Sequence, residues 1–313
     1  MNKFCALTGE VTDLKASHII PKFFYADLKK KGGCYFRSTY NPKLEHKDGI
    51  KIPLLGNKAE LLFSKQEKWF KENVFDYYHN KQKTIIQPIK MRNELFYFSV
   101  SLLWRSIHYL MHLHPDNFQS AFKNKQIYDL VIDAEKEWKQ YLNGGDIPEI
   151  YSNIYIATFD NIISEFSDNA DLLFYLKRSC DFGVITDNLD IMINCAFFGK
   201  CPNFIFFADL LPSTSGDFEY GYLVNNLPEY EKTTFIEDWT INDNRIIECL
   251  FERSDLQKSL IEKNPVSSKA AQQIVSRIKS TPNFKDSELG QLLKMKYGHY
   301  KIFCVNGKYG IQV

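Results

Sequence analysis

Four side chains in the first sixty residues have the types and spacing for acid–base work on a phosphodiester: His18, His46, Asp48 and Glu60. His18 stands in Ser17-His18-Ile19-Ile20-Pro21-Lys22, where two β-branched residues favour a short strand and the proline turns the chain at once. An imidazole placed at a strand end can take a proton from water or from a hydroxyl. Glu60 follows the apolar pair Leu54-Leu55 and shares one helical face with Ser64 and Glu67, at i, i+4 and i+7. From that face a carboxylate could act as general acid or as a metal ligand near His18. It would equally suit the positive end of a helix that begins there. His46 and Asp48 lie in the loop before Leu54-Leu55, where either could supply a second metal ligand or the acid of a pair. A solvated polar turn is the bland reading of both, and a turn-capping histidine is the bland reading of His18.

Those residues must be held by local elements. The stretch 1–52 is broken by Gly9, Pro21, Gly32-Gly33, Pro42 and Gly49, which suits a small irregular domain of a hairpin, a loop and short strands. Residues 61–78 read as a helix whose apolar stripe, including Leu61, Leu62, Phe63, Trp69, Phe70, Val74 and Phe75, must pack on something.

The order Cys5-x-Leu7-Thr8-Gly9, Ser17-His18-Ile19-Ile20-Pro21-Lys22, Asp48-Gly49, Leu54-Leu55 and a Glu-started helix resembles the HNH-type, treble-clef nucleases in a divergent bacterial form. The resemblance covers about the first quarter of the chain. It implies that His18 activates a nucleophile against a phosphodiester, and that the helix supplies a final ligand from the position of Glu60. Members of the family carry two cysteine pairs on a structural zinc. Here Thr8 stands where the partner of Cys5 would be, and Gly56 and Ala59 stand where the second pair would be. One thiolate cannot make a tetrahedral zinc site, so no structural zinc is expected, while a divalent cation at His18 stays open. The resemblance further implies an antiphage effector of the ring-forming, zinc-finger-like ribonuclease kind, with a phage protein as trigger and a homo-oligomer as its working form.

Charge bears on the partner. Lys and Arg number 39 against 38 Asp and Glu, a net charge of +1, which argues against a strongly basic whole-molecule binder but permits a local patch. Lysines outnumber acids over the first eighty residues. Lys22, Arg37, Lys47 and Lys51 are interleaved there with Phe23, Phe24, Tyr25, Tyr35, Phe36 and Tyr40. Cations neutralise phosphates and aromatic faces stack on unpaired bases, so the mixture suits single-stranded RNA better than duplex. Core aromatics beside solubilising lysines would give the same pattern. Seven cysteines without regular spacing are no disulfide framework and point to a reducing cytoplasm. No stretch reaches the apolar length of a membrane span. A glycine-rich phosphate loop, a Gly-x-Ser-x-Gly elbow and a Cys-x-x-Cys are all missing from the sequence.

Further along, residues 92–112 are apolar nearly all round and predict a buried central helix. Arg105 inside it needs a carboxylate partner and would clamp the two parts of the molecule together. Residues 116–143 read as an amphipathic helical pair stopped by Asn143-Gly144-Gly145. Short aromatic and β-branched runs at 153–159, 172–178, 191–198 and 204–210 read as antiparallel strands. Residues 246–251 are ambiguous, 267–280 a helix, and 300–305 with 309–313 a hairpin around Asn306-Gly307. The Ser/Thr-rich loop Pro212–Gly221 could bind a ligand.

The expected architecture is α+β: an N-terminal treble-clef-like module (1–84), then a helical layer and an antiparallel sheet (85–313) for control or assembly. The expected function is a His-centred endonuclease, acting on RNA in preference to DNA because RNA carries its own 2′-hydroxyl nucleophile. The competing expectation is a decayed enzyme that works as a binding scaffold.

Overall fold

The computed structural model describes residues 3–32, 36–37, 45–46, 48–79, 89–90, 93–113, 115, 118–119, 122, 124–186, 195–211, 221–224, 233–265, 267–297, 301–305 and 308–312. It is an α+β fold.

The N-terminal module pairs β1 (Lys15–His18) antiparallel with a strand that arrives only after an excursion through α1 (Lys22–Lys30), β2 (Phe36–Arg37) and β3 (Glu45–His46). That partner is β4 (Lys51–Leu55), which sets His18 opposite Lys51 and Ser17 opposite Ile52. From β4 the chain enters α2 (Asn57–Phe70), widens into one π-helical stretch (Lys71–Phe75) and resumes as α3 (Asp76–His79). Helix α1 corrects the all-strand expectation for 1–52. Pro21 sets its first turn, and Phe24, Tyr25 and Leu28 recur at i, i+1 and i+4 on the face it buries.

After β5 (Ile89–Lys90), α4 (Asn93–Leu113) runs through the middle of the molecule and buries residues on every side. It lies between α2 and α5 (Lys125–Leu142) on one side and the sheet on the other. The sheet is formed by β6 (Ile154–Thr158), β7 (Asp181–Thr186), β8 (Cys195–Cys201), β9 (Phe204–Asp209) and β10 (Tyr222–Val224), antiparallel throughout in the order β10-β6-β9-β8-β7. Between β6 and β7 lie α6 (Asp160–Glu165) and α7 (Ala170–Arg178). Past β11 (Thr233–Thr234), which pairs with β5, come α8 (Asn244–Lys263), α9 (Ser268–Ser280), α10 (Glu288–Tyr297) and the hairpin β12 (Lys301–Val305) with β13 (Lys308–Gln312).

Strands β8 and β9 are buried along their whole length, because α4 covers one face of the sheet and α7 with α8 the other. Phe197, Phe204 and Phe206 pack toward α4, while Phe198, Ile205 and Phe207 join Leu172, Leu176 and Leu250. A strand buried on both faces loses polar alternation. The expected strand at 172–178 is instead helix α7. Asn169 caps it by accepting from the Leu172 amide at 3.0 Å, and Leu172, Tyr175 and Leu176 fall on one face. The ambiguous 246–251 belongs to α8; of the helical pair expected at 116–143, the second member is α5, while 116–117, 120–121 and 123 lie outside the described residues. The C-terminal end of α7 rests on a fully buried ammonium: Lys200 donates to the carbonyls of Tyr175 (2.5 Å) and Ser179 (2.9 Å). Burial draws that ammonium down to about 8.

One core continues from the N-terminal module into the body. Cys5, Leu7, Ile19, Phe24, Phe63 and Phe70 share it with Phe98, Trp104, Trp138 and Phe206. Phe70 stacks on Phe98 with ring centres 4.0 Å apart. The end of α4 is pinned to α5 by Glu135, which accepts from Trp104 Nε1 and bonds His108 Nε2, each at 3.0 Å. Burial opposes ionisation of Glu135, but the bonds from His108 and Trp104 outweigh it and hold the carboxyl below its ordinary value.

Glu135→Ala strands both donors, so it should cost about 2 kcal/mol in urea unfolding at neutral pH. A group with a depressed folded value stabilises above the ordinary carboxylate range and loses that contribution as pH falls through the depressed value. The gap between wild type and variant should therefore close in acid, and a gap that stays constant with pH would refute the pinning role.

Candidate active site around His18

His18 ends β1, and its side chain is half-buried. The Asp48 backbone lies close enough to favour the protonated ring, while Nε2 is buried without a partner among the described residues, so we assign the proton of the neutral ring to Nδ1. Burial first, then the charges of Lys51, Arg105 and Lys22, draw the imidazole down to about 4. The ring is thus neutral near pH 7, with the lone pair of Nε2 unspent. The Asp48 carbonyl is aimed by Gly49, whose φ of +85° admits few other residues and whose backbone lies flat against the Tyr25 ring. A Cβ on Gly49 would stand 2.1 Å from that ring.

The main chain of His18 is fixed from behind. Arg105, 3% exposed, donates Nη1 to the His18 carbonyl at 3.0 Å and to Glu67 Oε1 at 2.7 Å, and Nε to the Ser101 carbonyl at 3.2 Å. Its guanidinium lies 5.2 Å from the centre of the Phe63 ring. The carboxylate that a buried Arg105 requires is therefore Glu67, and the expected clamp between module and body exists. Glu67 does not pair with a neighbouring lysine, the commoner fate of a helix-surface glutamate. Arg105 Nη2 and Glu60 Oε1 are, like His18 Nε2, buried without partners among the described residues. Three elements that meet at Arg105 thus each carry one unspent polar atom.

The other expected residues divide. Glu60 stands in the first turn of α2, and no hydrogen bond or ion pair joins it to His18 among the described residues. The Asp48 carboxylate points to the surface, paired with Lys29 and, at 3.8 Å, with Lys51, so this residue reaches His18 through its main chain only. His46 lies in β3 opposite Phe36, and Arg37 in β2 opposite Glu45; their side chains, Lys47 and residues 212–220 lie outside the described residues. Lys22 and Lys51 are exposed and close enough to His18 to depress it. Phe24 and Tyr25 are core, which removes them as stacking platforms for bases.

The zinc-binding positions can be tested directly. Cys5 is buried at a tight turn closed by Gly9 N–H on the Cys5 carbonyl (2.8 Å). Burial raises its thiol, but bonds from the Gly56 backbone, the Thr8 hydroxyl and the backbones of Thr8 and Leu7 outweigh that and hold it below its ordinary range. The Thr12 methyl sits 2.6 Å from where a Gly56 Cβ would stand. Thr8 and Gly56 both lie beside Cys5, but together they offer one thiol, and Thr12 occupies the space a side chain at position 56 would need. Among the described residues no group of three His, Cys, Asp or Glu could hold a metal ion. The donor set does not fit zinc.

The chain matches no family model, no characterised protein and no solved structure.

Arg105→Leu leaves Glu67 and the His18 carbonyl without their donor and should cost roughly 3 kcal/mol in denaturant unfolding. A loss within experimental error would show that the clamp holds nothing. His18 makes a second demand. Because its folded value lies below the ordinary 6.5, the unfolded chain binds more protons between pH 6.5 and about 4, and stability falls as pH drops through that window. His18→Gln should flatten this part of the stability–pH curve, and an unchanged slope would contradict a buried neutral ring.

Proposed function

We propose that this protein is a nuclease, with RNA the preferred substrate and His18 as general base. The observation that supports the reading best is a neutral imidazole beside the Asp48 backbone, with Nε2 unpaired amid Lys22, Lys51 and Arg105. Nε2 would take the proton of a ribose 2′-hydroxyl as its oxygen attacks the adjacent phosphorus. The bond to the 5′ oxygen breaks, leaving a 2′,3′-cyclic phosphate. Surrounding cations favour the charge that gathers on the phosphorus oxygens. Glu60 is our candidate for the acid that returns a proton to the leaving oxygen. Lys22 and Lys51, exposed beside the ring, would bind the backbone phosphates. RNA is favoured over DNA because it supplies its own nucleophile and asks less of a site poor in metal donors. Work in a reducing cytoplasm belongs to the same proposal through the cysteine pattern, and assembly into a triggered antiphage effector through the resemblance alone. In the structure no described helix is long and apolar enough to cross a membrane.

A second reading, a binding or scaffold protein, draws on two observations. His18 Nε2 is screened from solvent, and the N-terminal module exposes Phe4, Val11, Leu61 and Leu62, each about half exposed or more.

The deciding experiment incubates labelled single-stranded RNA and duplex DNA with the protein, with and without EDTA, beside His18→Ala. RNA cleavage that survives EDTA and falls 10²- to 10⁴-fold in the variant is the expected result, about what a general base contributes. Cleavage of DNA alone, abolished by EDTA, would replace the proposal with a metal-dependent one. Activity equal in both proteins would remove His18 from the chemistry. Lys51→Ala should weaken RNA binding at every sequence and lower the salt slope by about one counterion.

A further inference from the structure

The ladder of β7 and β8 ends at Asp181 opposite Lys200. The next residue outward on each chain is a cysteine, Cys180 and Cys201, and the two thiols lie within electrostatic reach of each other. Both lie on the α4 side of the sheet. Cys201 belongs to the core that holds Phe197 and Phe206, and Cys180 packs against that core beside Phe182 and Val184. Neither is in a disulfide, and Cys201 is buried while Cys180 is half-buried. The Cys180 thiol lies 3.9 Å from the Tyr25 hydroxyl, and Cys201 Sγ lies 3.7 Å from the Phe204 carbonyl.

Directly opposed residues of an antiparallel pair hold their Cβ atoms roughly 4.5–5.5 Å apart and their Cα atoms about as far, within or close to the span that a disulfide bridges. We propose that Cys180 and Cys201 are an oxidation site that closes to a cross-strand disulfide when the folded protein meets a peroxide. Exposure assigns the roles. Cys180, the reachable sulfur, attacks the peroxide as thiolate, becomes a sulfenic acid and releases hydroxide. Cys201 then attacks that sulfur; its proton and the departing hydroxyl leave as water. In sum, two thiols are oxidised, one peroxide is reduced, and two waters form. The two thiols lie within electrostatic reach of each other and of the buried Lys200 ammonium. That ammonium favours the thiolate of Cys180, while burial holds the Cys201 thiol well above its ordinary range, so Cys201 stays protonated until it meets the sulfenic acid. Among the other described cysteines, Cys5 sits in the N-terminal module, Cys195 lies at the far end of β8, Cys249 is on α8, across the sheet, and Cys304 is in β12 opposite Tyr309. None of them stands opposite another cysteine in a strand pair.

The test uses the full chain in its native state. The protein is treated with hydrogen peroxide, quenched, unfolded in N-ethylmaleimide and digested without reductant for mass mapping. The expected result is a peptide pair joined through Cys180 and Cys201, two thiols fewer to alkylate, and reversal by dithiothreitol. In Cys201→Ala the sulfenic acid of Cys180 should persist and be captured by dimedone. In Cys180→Ala, a change at a half-buried position, Cys201 should stay fully alkylatable. Both thiols alkylated in the treated wild type, or Cys180 joined to any other cysteine, overturns the proposal.

Discussion

A single guanidinium joins the parts of this molecule that sequence order keeps far apart. Arg105 sits in the middle of α4, withdrawn from water, and spends its donors on the carbonyl of the strand residue at the centre of the candidate site, on a carboxylate of α2 and on its own helix. A buried cation is tolerated only with such partners. The position of β1, the facing of α2 and the stacking of Phe63 and Phe70 on α4 are therefore mutually dependent. The same constraint explains why the N-terminal module has no core of its own. Its Phe24, Phe63 and Phe70 complete a layer whose other half is α4 and the sheet.

Electrostatics at the site follow from this arrangement. Three cationic residues, one buried and two on the surface, surround a neutral imidazole. Each discourages protonation, so the ring stays a base at neutral pH, and each would favour an anion drawn against it. Asp48, whose backbone lies beside the ring, pairs its carboxylate with Lys29 and Lys51 and leaves the field beside His18 positive.

Much of the fold was legible because its signals are local. The all-round apolarity of 92–112 anticipated α4, and the strand-end place of His18 was read correctly, although the β-branched Ile19 and Ile20 that suggested a strand fall in the bend after β1. The terminal hairpin and the clamp at Arg105 could be anticipated as well. What escaped depends on tertiary burial. In 172–178 the aromatic residues suggested a strand, but the Asn169 cap and the wrap around Lys200 select a helix. Helix α1 was hidden by its lysines, which read as a binding surface while Phe24 and Tyr25 face inward. At the site the type and strand-end place of His18 could be read. The role of Asp48 could not, because it acts through a carbonyl that every residue possesses. Glu67 and Lys51 likewise acquire their neighbours only when α2 and β4 fold back on β1.

Cys5 sits in a turn held by amide and hydroxyl donors. Where a metal holds such a turn, the ion brings the folding energy with it, and the unit can be moved between hosts like a detachable part. Amide and hydroxyl donors around one thiol bring far less, and the turn leans on the body through Asn143 at the end of α5, which donates to the Leu7 carbonyl at 2.7 Å, and on β4 through the Ala6 N–H, which donates to the Leu54 carbonyl at 2.9 Å. The module has become inseparable. A chelator should leave it folded, whereas a chain cut before α4 would have nothing to fold against. Evolution of this head is then tied to evolution of the body, and a recombination event that swapped one without the other would yield neither.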